Sequence, residues 1–246
     1  MVQRATDLEI VIREVTSNVW TFSAPFKLGI LPFGIRSTAI RLSNGDVWVL
    51  ASTPLTEQTK EGIDKLGSVK WIMNSSLAHH FHLGEFKKAY PDAKLIGVNG
   101  IGEKKSAEGL VFDGEYGKDL DVETRYGFED EIKSCYFSGS ASKEVAWYHT
   151  ASKTLIVGDL MVNLPATEQF SKSKTSAKLP FINTLSPSGM LLKRTLWGSG
   201  LDKDAMRRDI KTVSEWDFER IILAHGNIIE KDAKKAWENA YSKYRS

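Results

Sequence analysis

The stretch from residue 37 to residue 98 constrains the fold more than any other part of the chain. Residues 37–42 (STAIRL) and 46–51 (DVWVLA) are apolar runs joined through Asn44-Gly45. Asn-Gly between two such runs is the strongest short-range signal of a β-hairpin. A helix is predicted to open at Thr53-Pro54, with Leu55, Ile63 and Leu66 on one face and Gly67 as its stop. Residues 69–73 (VKWIM) then read as a strand, 83–90 as a helix ending before Pro91, and 93–98 (AKLIGV) as another strand. This strand–helix alternation is the rhythm of an α/β protein, whose sheet carries helices packed on it.

The flanking regions extend this pattern. Residues 9–14 and 19–26 read as strands, as do 131–137, 143–148, 154–157 and 218–224. Asp202 is placed to cap a helix over 203–214, and 231–244 reads as an amphipathic closing helix. Residues 100–130 are polar and Gly-rich, and 165–197 lack a clear period, so both are expected to be loops. No linker divides the chain. The expectation is one domain over residues 1–246, with two sheets and outer helices.

Composition excludes several classes. The chain has 33 Lys and Arg against 31 Asp and Glu, a formal charge of +2. That balance argues against a dedicated nucleic-acid binder, and Lys172, Lys174 and Lys178 read as a solvated loop. The single cysteine, Cys135, excludes an intrachain disulfide and a cysteine-based zinc cluster, and reads as a buried apolar residue. No apolar run is long enough to span a membrane, and the N-terminus lacks the apolar core of a secretory leader. A cytoplasmic protein with no membrane partner is expected.

Five histidines are present, and three of them, His79, His80 and His82, follow the strand 69–73 through the turn Asn74-Ser75-Ser76. The apolar run 154–157 ends in Gly158-Asp159, and the run 218–224 ends in His225-Gly226. Taken singly, Asp159 reads as a turn residue capping the next element, and His225 reads equally as an exposed loop histidine. Taken together, three strands each end in a histidine or an aspartate, and such ends can converge at one sheet edge. Two imidazoles and a carboxylate there suit zinc or iron. His149 lies at the other end of its strand region, roughly 15 Å from Asp159 along a strand, and is read as structural.

The order of His cluster, Gly-Asp and His-Gly, each after an apolar strand, resembles the metallo-β-lactamase superfamily, and in particular its divergent DUF4336 branch. The stretches that carry the resemblance are 74–91 (NSSLAHHFHLGEFKKAYP), 148–163 (YHTASKTLIVGDLMVN) and 216–226 (WDFERIILAHG). It implies an αββα sandwich of two mixed β-sheets flanked by helices, with the site at one edge of the sheets. Setting Gly84 on the glycine after the family motif His-x-His-x-Asp-His puts Leu77 at the first His, His79 at the second, Phe81 at the Asp and His82 at the last. Ser140 falls at the next histidine position, Asp159 at the metal-bridging aspartate and His225 at the final histidine.

The departures shape the expectation. One metal position has Leu77 and Ser140 where the family has histidines, while the other has only Phe81 in place of its aspartate. The resemblance therefore implies one divalent metal, zinc with iron or manganese as alternatives, held by His82, Asp159 and His225. His79 is either a further ligand or the catalytic acid/base, and His80 points elsewhere. The implied activity is metal-dependent hydrolysis of a small-molecule ester, lactone, amide or thioester. The alternatives are a metal-free binding protein on the same fold and an iron-dependent oxygenase or lyase.

Overall fold

The computed structural model describes residues 9–118, 124–180 and 185–245. Parts of the two expected loops, 119–123 and 181–184, and the first eight residues of the N-terminus lie outside the described residues.

Seven strands form the larger sheet. Its antiparallel part comprises β1 (Val11–Thr16), β2 (Val19–Ala24), β5 (Ile35–Arg41) and β6 (Asp46–Leu50); its parallel part continues from β6 through β7 (Ser68–Met73), β8 (Lys94–Val98) and β9 (Gly114–Tyr116). A short ribbon, β3 (Lys27–Leu28) with β4 (Leu31–Pro32), projects between β2 and β5. The smaller sheet has β10 (Ile132–Phe137), β11 (Glu144–His149), β12 (Thr154–Val157) and β13 (Arg220–Leu223), antiparallel up to β12 and parallel from β12 to β13.

The period of two along the smaller sheet builds the layers. Val145, Trp147, Ile156 and Ile222 face the larger sheet, where the Trp147 indole meets Trp48 edge-on at 5.4 Å between ring centres. Their neighbours Ala146, Tyr148, Leu155, Val157, Ile221 and Leu223 face outward. There they pack against α4 (Met190–Ser199), α5 (Lys203–Ser214) and α6 (Ala233–Ala240). On the far side of the larger sheet lie α1 (Glu57–Asp64), α2 (Leu83–Ala89) and α3 (Ile101–Lys105), which bury Ile63, Leu83, Phe86 and Ile101. The result is the αββα sandwich of mixed sheets.

Local chemistry explains the element ends. The α1 helix starts at Glu57, later than Thr53-Pro54 suggests, because Thr56 is the residue whose side chain accepts from a backbone N–H, that of Thr59. Asp202 caps α5 through the N–H groups of Asp204 and Ala205. The expected loop 100–130 contains α3 and β9. The expected loop 165–197 contains most of α4, whose start at Gly189 has no side-chain cap. The closing helix is shorter than its period suggests and ends in a 3-10 turn at Ser242–Tyr244. No helix among the described residues is long and apolar enough to cross a membrane.

Candidate metal centre

Three strand ends meet at one edge of the sandwich. β7 runs into a loop that Asn74 curls back on itself: its Nδ2 donates to the carbonyls of Ser76 (2.8 Å) and His79 (2.6 Å). Ser76 Oγ accepts from the Ala78 N–H at 3.1 Å. The loop is stitched to the smaller sheet by Leu77 N–H to Ser142 O (3.0 Å) and Val145 N–H to Ser75 O (3.1 Å). His79 is thereby carried to the junction of the two sheets. Asp159 follows β12 after Gly158, and His225 follows β13, the parallel neighbour of β12.

His79 Nε2 and His225 Nε2 each lie 3.2 Å from the same oxygen, Asp159 Oδ1. The ring centres of the two imidazoles are 5.0 Å apart. One ligand atom from each of the three residues lies within 4.8 Å of the others. Both histidines are buried, whereas a third of the Asp159 side chain is exposed. The site is therefore a walled recess with its carboxylate at the opening.

His225 Nδ1 lies 2.6 Å from the Gly34 carbonyl oxygen. A carbonyl only accepts, so Nδ1 carries a proton. In the neutral ring Nε2 is then a lone pair aimed at a carboxylate oxygen. That opposition is relieved by a cation between them or by protonating the imidazole. Two ligand atoms at about 2.0–2.1 Å from a tetrahedral ion stand about 3.3 Å apart, close to the 3.2 Å observed. The donor set and its spacing fit a divalent metal.

The electrostatics point the same way. Burial works against charge on Asp159, but the His79 and His225 imidazoles outweigh it and hold the carboxyl well below the usual range. Burial also opposes charge on His79, and the Asp159 and Glu144 carboxyls outweigh it and raise the imidazole pKa. The acid behind the site behaves oppositely. Glu144, fully buried at the head of β11, is pushed up to about 8 by burial and by the nearby Asp159 charge. It stays largely protonated at neutral pH and adds little negative charge next to Asp159.

Sequence reasoning missed Glu144. The one signal was a carboxylate opening an otherwise apolar strand. Ser140, which stands at a lost histidine position, connects to it through side chains: Ser140 Oγ to Ser142 Oγ is 3.0 Å, and Ser142 Oγ to Glu144 Oε2 is 3.4 Å. Glu144 also explains Gly158, because a Cβ there would lie 2.5 Å from Glu144 Oε1 and 2.7 Å from Ser75 Oγ.

The other candidates are placed elsewhere. His82, expected among the ligands, is not in the group: it precedes α2 and turns Nδ1 to Glu85 Oε1 at 3.2 Å. The Asn74 curl explains this, since it brings the chain to the site at residue 79 and releases it before α2 begins. His80 lies against Phe81, their rings tilted by 31° and 4.4 Å apart between centres, and Phe81 is 73% exposed. Leu77 packs on the core. His149 hydrogen-bonds to Ser152 Oγ at 2.7 Å and pairs with Thr154, at the start of β12, whereas Asp159 follows its end. Phe26 stacks on the His225 ring and Phe33 meets it edge-on.

The family model described as a domain of unknown function, DUF4336, matches residues 16–182. The chain belongs to the DUF4336 family. That match includes His79 and Asp159 and ends before His225. No curated protein matches the sequence. Solved structures share the metallo-β-lactamase fold. One is a metallo-β-lactamase from Pontibacter korlensis, at 10% identity and a TM-score of 0.62, covering 97% of this chain and 100% of that one. Another is a metallo-β-lactamase from Pseudomonas aeruginosa in its mono-zinc form, at 9% identity and a TM-score of 0.63, covering 98% and 96%. A flavo-diiron protein variant from Thermotoga maritima aligns at 13% identity and a TM-score of 0.68, covering 96% of this chain and 62% of that one.

Proposed function

We propose that this DUF4336 protein holds one divalent cation, zinc before iron or manganese, with His79, Asp159 and His225, and hydrolyses a small ester, lactone, amide or thioester. The observation that carries the reading is the His225 tautomer: Gly34 fixes the proton on Nδ1 and leaves Nε2 facing a carboxylate oxygen. A divalent cation in this place supplies Lewis acidity, polarising a carbonyl group and easing deprotonation of water. Two neutral imidazoles and one carboxylate leave it a net positive charge, and a protonated Glu144 preserves that charge.

The protein's own groups do the rest. His79 serves as a ligand, since the nitrogen it presents is the one beside Asp159. Phe26 stacks on the His225 ring and is itself exposed, as are Leu28 and Ile30 further along the same segment. An exposed ring beside His225 supports a substrate with an apolar group near its scissile bond.

The two-histidine, one-carboxylate set also matches non-haem iron oxygenases, which makes oxygen chemistry with iron the second reading. Protein purified without chelator, analysed for metal and assayed with esters, lactones, amides and thioesters before and after reconstitution, separates the readings. The hydrolase reading expects about one equivalent of metal per chain and hydrolysis that follows it. Oxygen consumption with iron favours the second reading, and no metal with no gain on reconstitution contradicts both.

A further inference from the structure

We infer that Gln169 and Arg36 are positioning residues that hold His225 in the orientation the metal site requires, an inference that rests on the proposed metal-binding reading. The turn carrying His225 is held by side chains from distant parts of the chain. Gln169 Nε2 donates to the Ala224 carbonyl and Gln169 Oε1 accepts from the Gly226 N–H, both at 2.8 Å. One carboxamide thus grips the backbone on either side of His225. Arg36 Nη1 donates to the carbonyls of Leu223 and Gly226, the latter at 2.8 Å.

The same two residues bear on the acceptor that sets the tautomer. Gly34 has φ +66°, and a Cβ there would lie 2.1 Å from Gln169 Oε1. Gln169 therefore packs against the residue whose carbonyl accepts the His225 Nδ1–H hydrogen bond. Arg36 follows Gly34 by two residues and anchors that segment to the turn beyond β13. Its guanidinium is fully buried, bonded to Ser23 Oγ at 3.0 Å and paired with Glu168 at 3.2 Å. Packing alone is served at less cost by an apolar side chain. What the guanidinium supplies is several donors in a rigid planar fork, fixing two carbonyls and a carboxylate at once.

Outer partners of this kind commonly change metal affinity by about 10–100-fold when removed. The test compares Gln169→Ala, Arg36→Lys and Asp202→Ala, the last a control that removes a remote helix cap. Zinc affinity is measured by competition with a chromophoric chelator. The ¹⁵N signals of the His225 ring are recorded on metal-free protein at alkaline pH, where the ring is neutral and its tautomer is defined, and thermal melting is followed in parallel.

The expected result is a 10–100-fold loss of zinc affinity in Gln169→Ala and Arg36→Lys, with the single Nδ1–H tautomer giving way to a mixture. Asp202→Ala keeps wild-type affinity and tautomer despite a comparable fall in Tm. Wild-type affinity and an unchanged tautomer in both variants would overturn the inference. If Gln169→Ala does not fold, the near-isosteric Gln169→Glu takes its place, since it keeps the acceptor for Gly226 but loses the donor to Ala224. A wild-type protein that binds no zinc defeats the metal reading, while the metal-free tautomer comparison still decides whether the clamp orients His225.

Discussion

His225 Nδ1–H donates a hydrogen bond to the Gly34 carbonyl, 2.6 Å away, and the ring turns its other nitrogen to within 3.2 Å of Asp159 Oδ1. The two residues so joined are far apart in sequence, one beside the β3–β4 ribbon and the other beyond β13. Their contact ties the larger sheet to the edge of the smaller one that carries Asp159 and His225. It makes the site a property of the whole sandwich and not of the histidine cluster alone.

Histidine variants separate the geometry from the sequence motif. His79→Ala and His225→Ala are expected to lower bound metal to a small fraction of wild type, because each leaves only two protein ligands. His82→Ala and His149→Ala are expected to keep wild-type content. Metal analysis of the four proteins, purified in parallel, checks this; loss of metal in His82→Ala with retention in His79→Ala would restore the motif-based ligand set.

Gly158→Ala is expected to destabilise the fold by about 1–3 kcal/mol, the usual cost of overpacking. The new methyl would lie 2.5 Å from Glu144 Oε1 and 2.7 Å from Ser75 Oγ. Denaturant unfolding of Gly158→Ala alone and combined with Glu144→Ala forms a double-mutant cycle. The account expects the double variant to lose less than the sum of the two single losses. Strict additivity would place the strain elsewhere.

Glu144 gives a pH dependence of defined sign. Its carboxyl rises from the ordinary value of 4.5 to about 8 in the fold, so the folded state binds the proton more tightly than the unfolded chain between those values. Stability of the metal-free protein is expected to fall as pH rises from about 4.5 to about 8. His79, raised above 6.5, adds a further loss as pH climbs through its folded value. Asp159, held low, contributes stability that is present above 3.8 and lost as pH falls through its folded value. Unfolding in chelator across this range, with Glu144→Gln as comparison, measures the effect; a Glu144→Gln protein with the wild-type pH slope would contradict it.

Phe81→Asp tests the register. The ring is mostly exposed and rests on His80, so its removal should cost no more than about 0.5 kcal/mol, as for an ordinary surface change. The variant is expected to melt like wild type, and its zinc affinity should stay within a few-fold. A large gain in affinity would show that residue 81 reaches the metal after all.

Much of this was legible in the sequence, for physical reasons that can be named. The Asn44-Gly45 hairpin and the Asp202 cap depend on neighbours within a few residues, and both stand where the sequence puts them. The three strand ends, at the 79–82 histidine cluster, Asp159 and His225, are readable because an apolar run that stops at a polar residue marks a sheet edge. The ligand register was harder. Gly84 suggested His82, but Gly84 lies inside α2, and the side-chain bonds from Asn74 decide which histidine turns inward. Glu144, Gln169 and Arg36 left no periodic signal, since their partners are distant in sequence and each contact exists only once both sheets are assembled. The α4 helix lacked a side-chain cap to announce it.

An anomalous difference map from crystals grown with zinc tests the three-residue site most directly. One strong peak is expected, about 2.0–2.2 Å from His79 Nε2, an Asp159 carboxylate oxygen and His225 Nε2. No peak at that edge, or a peak held by His82 and Glu85, would contradict it.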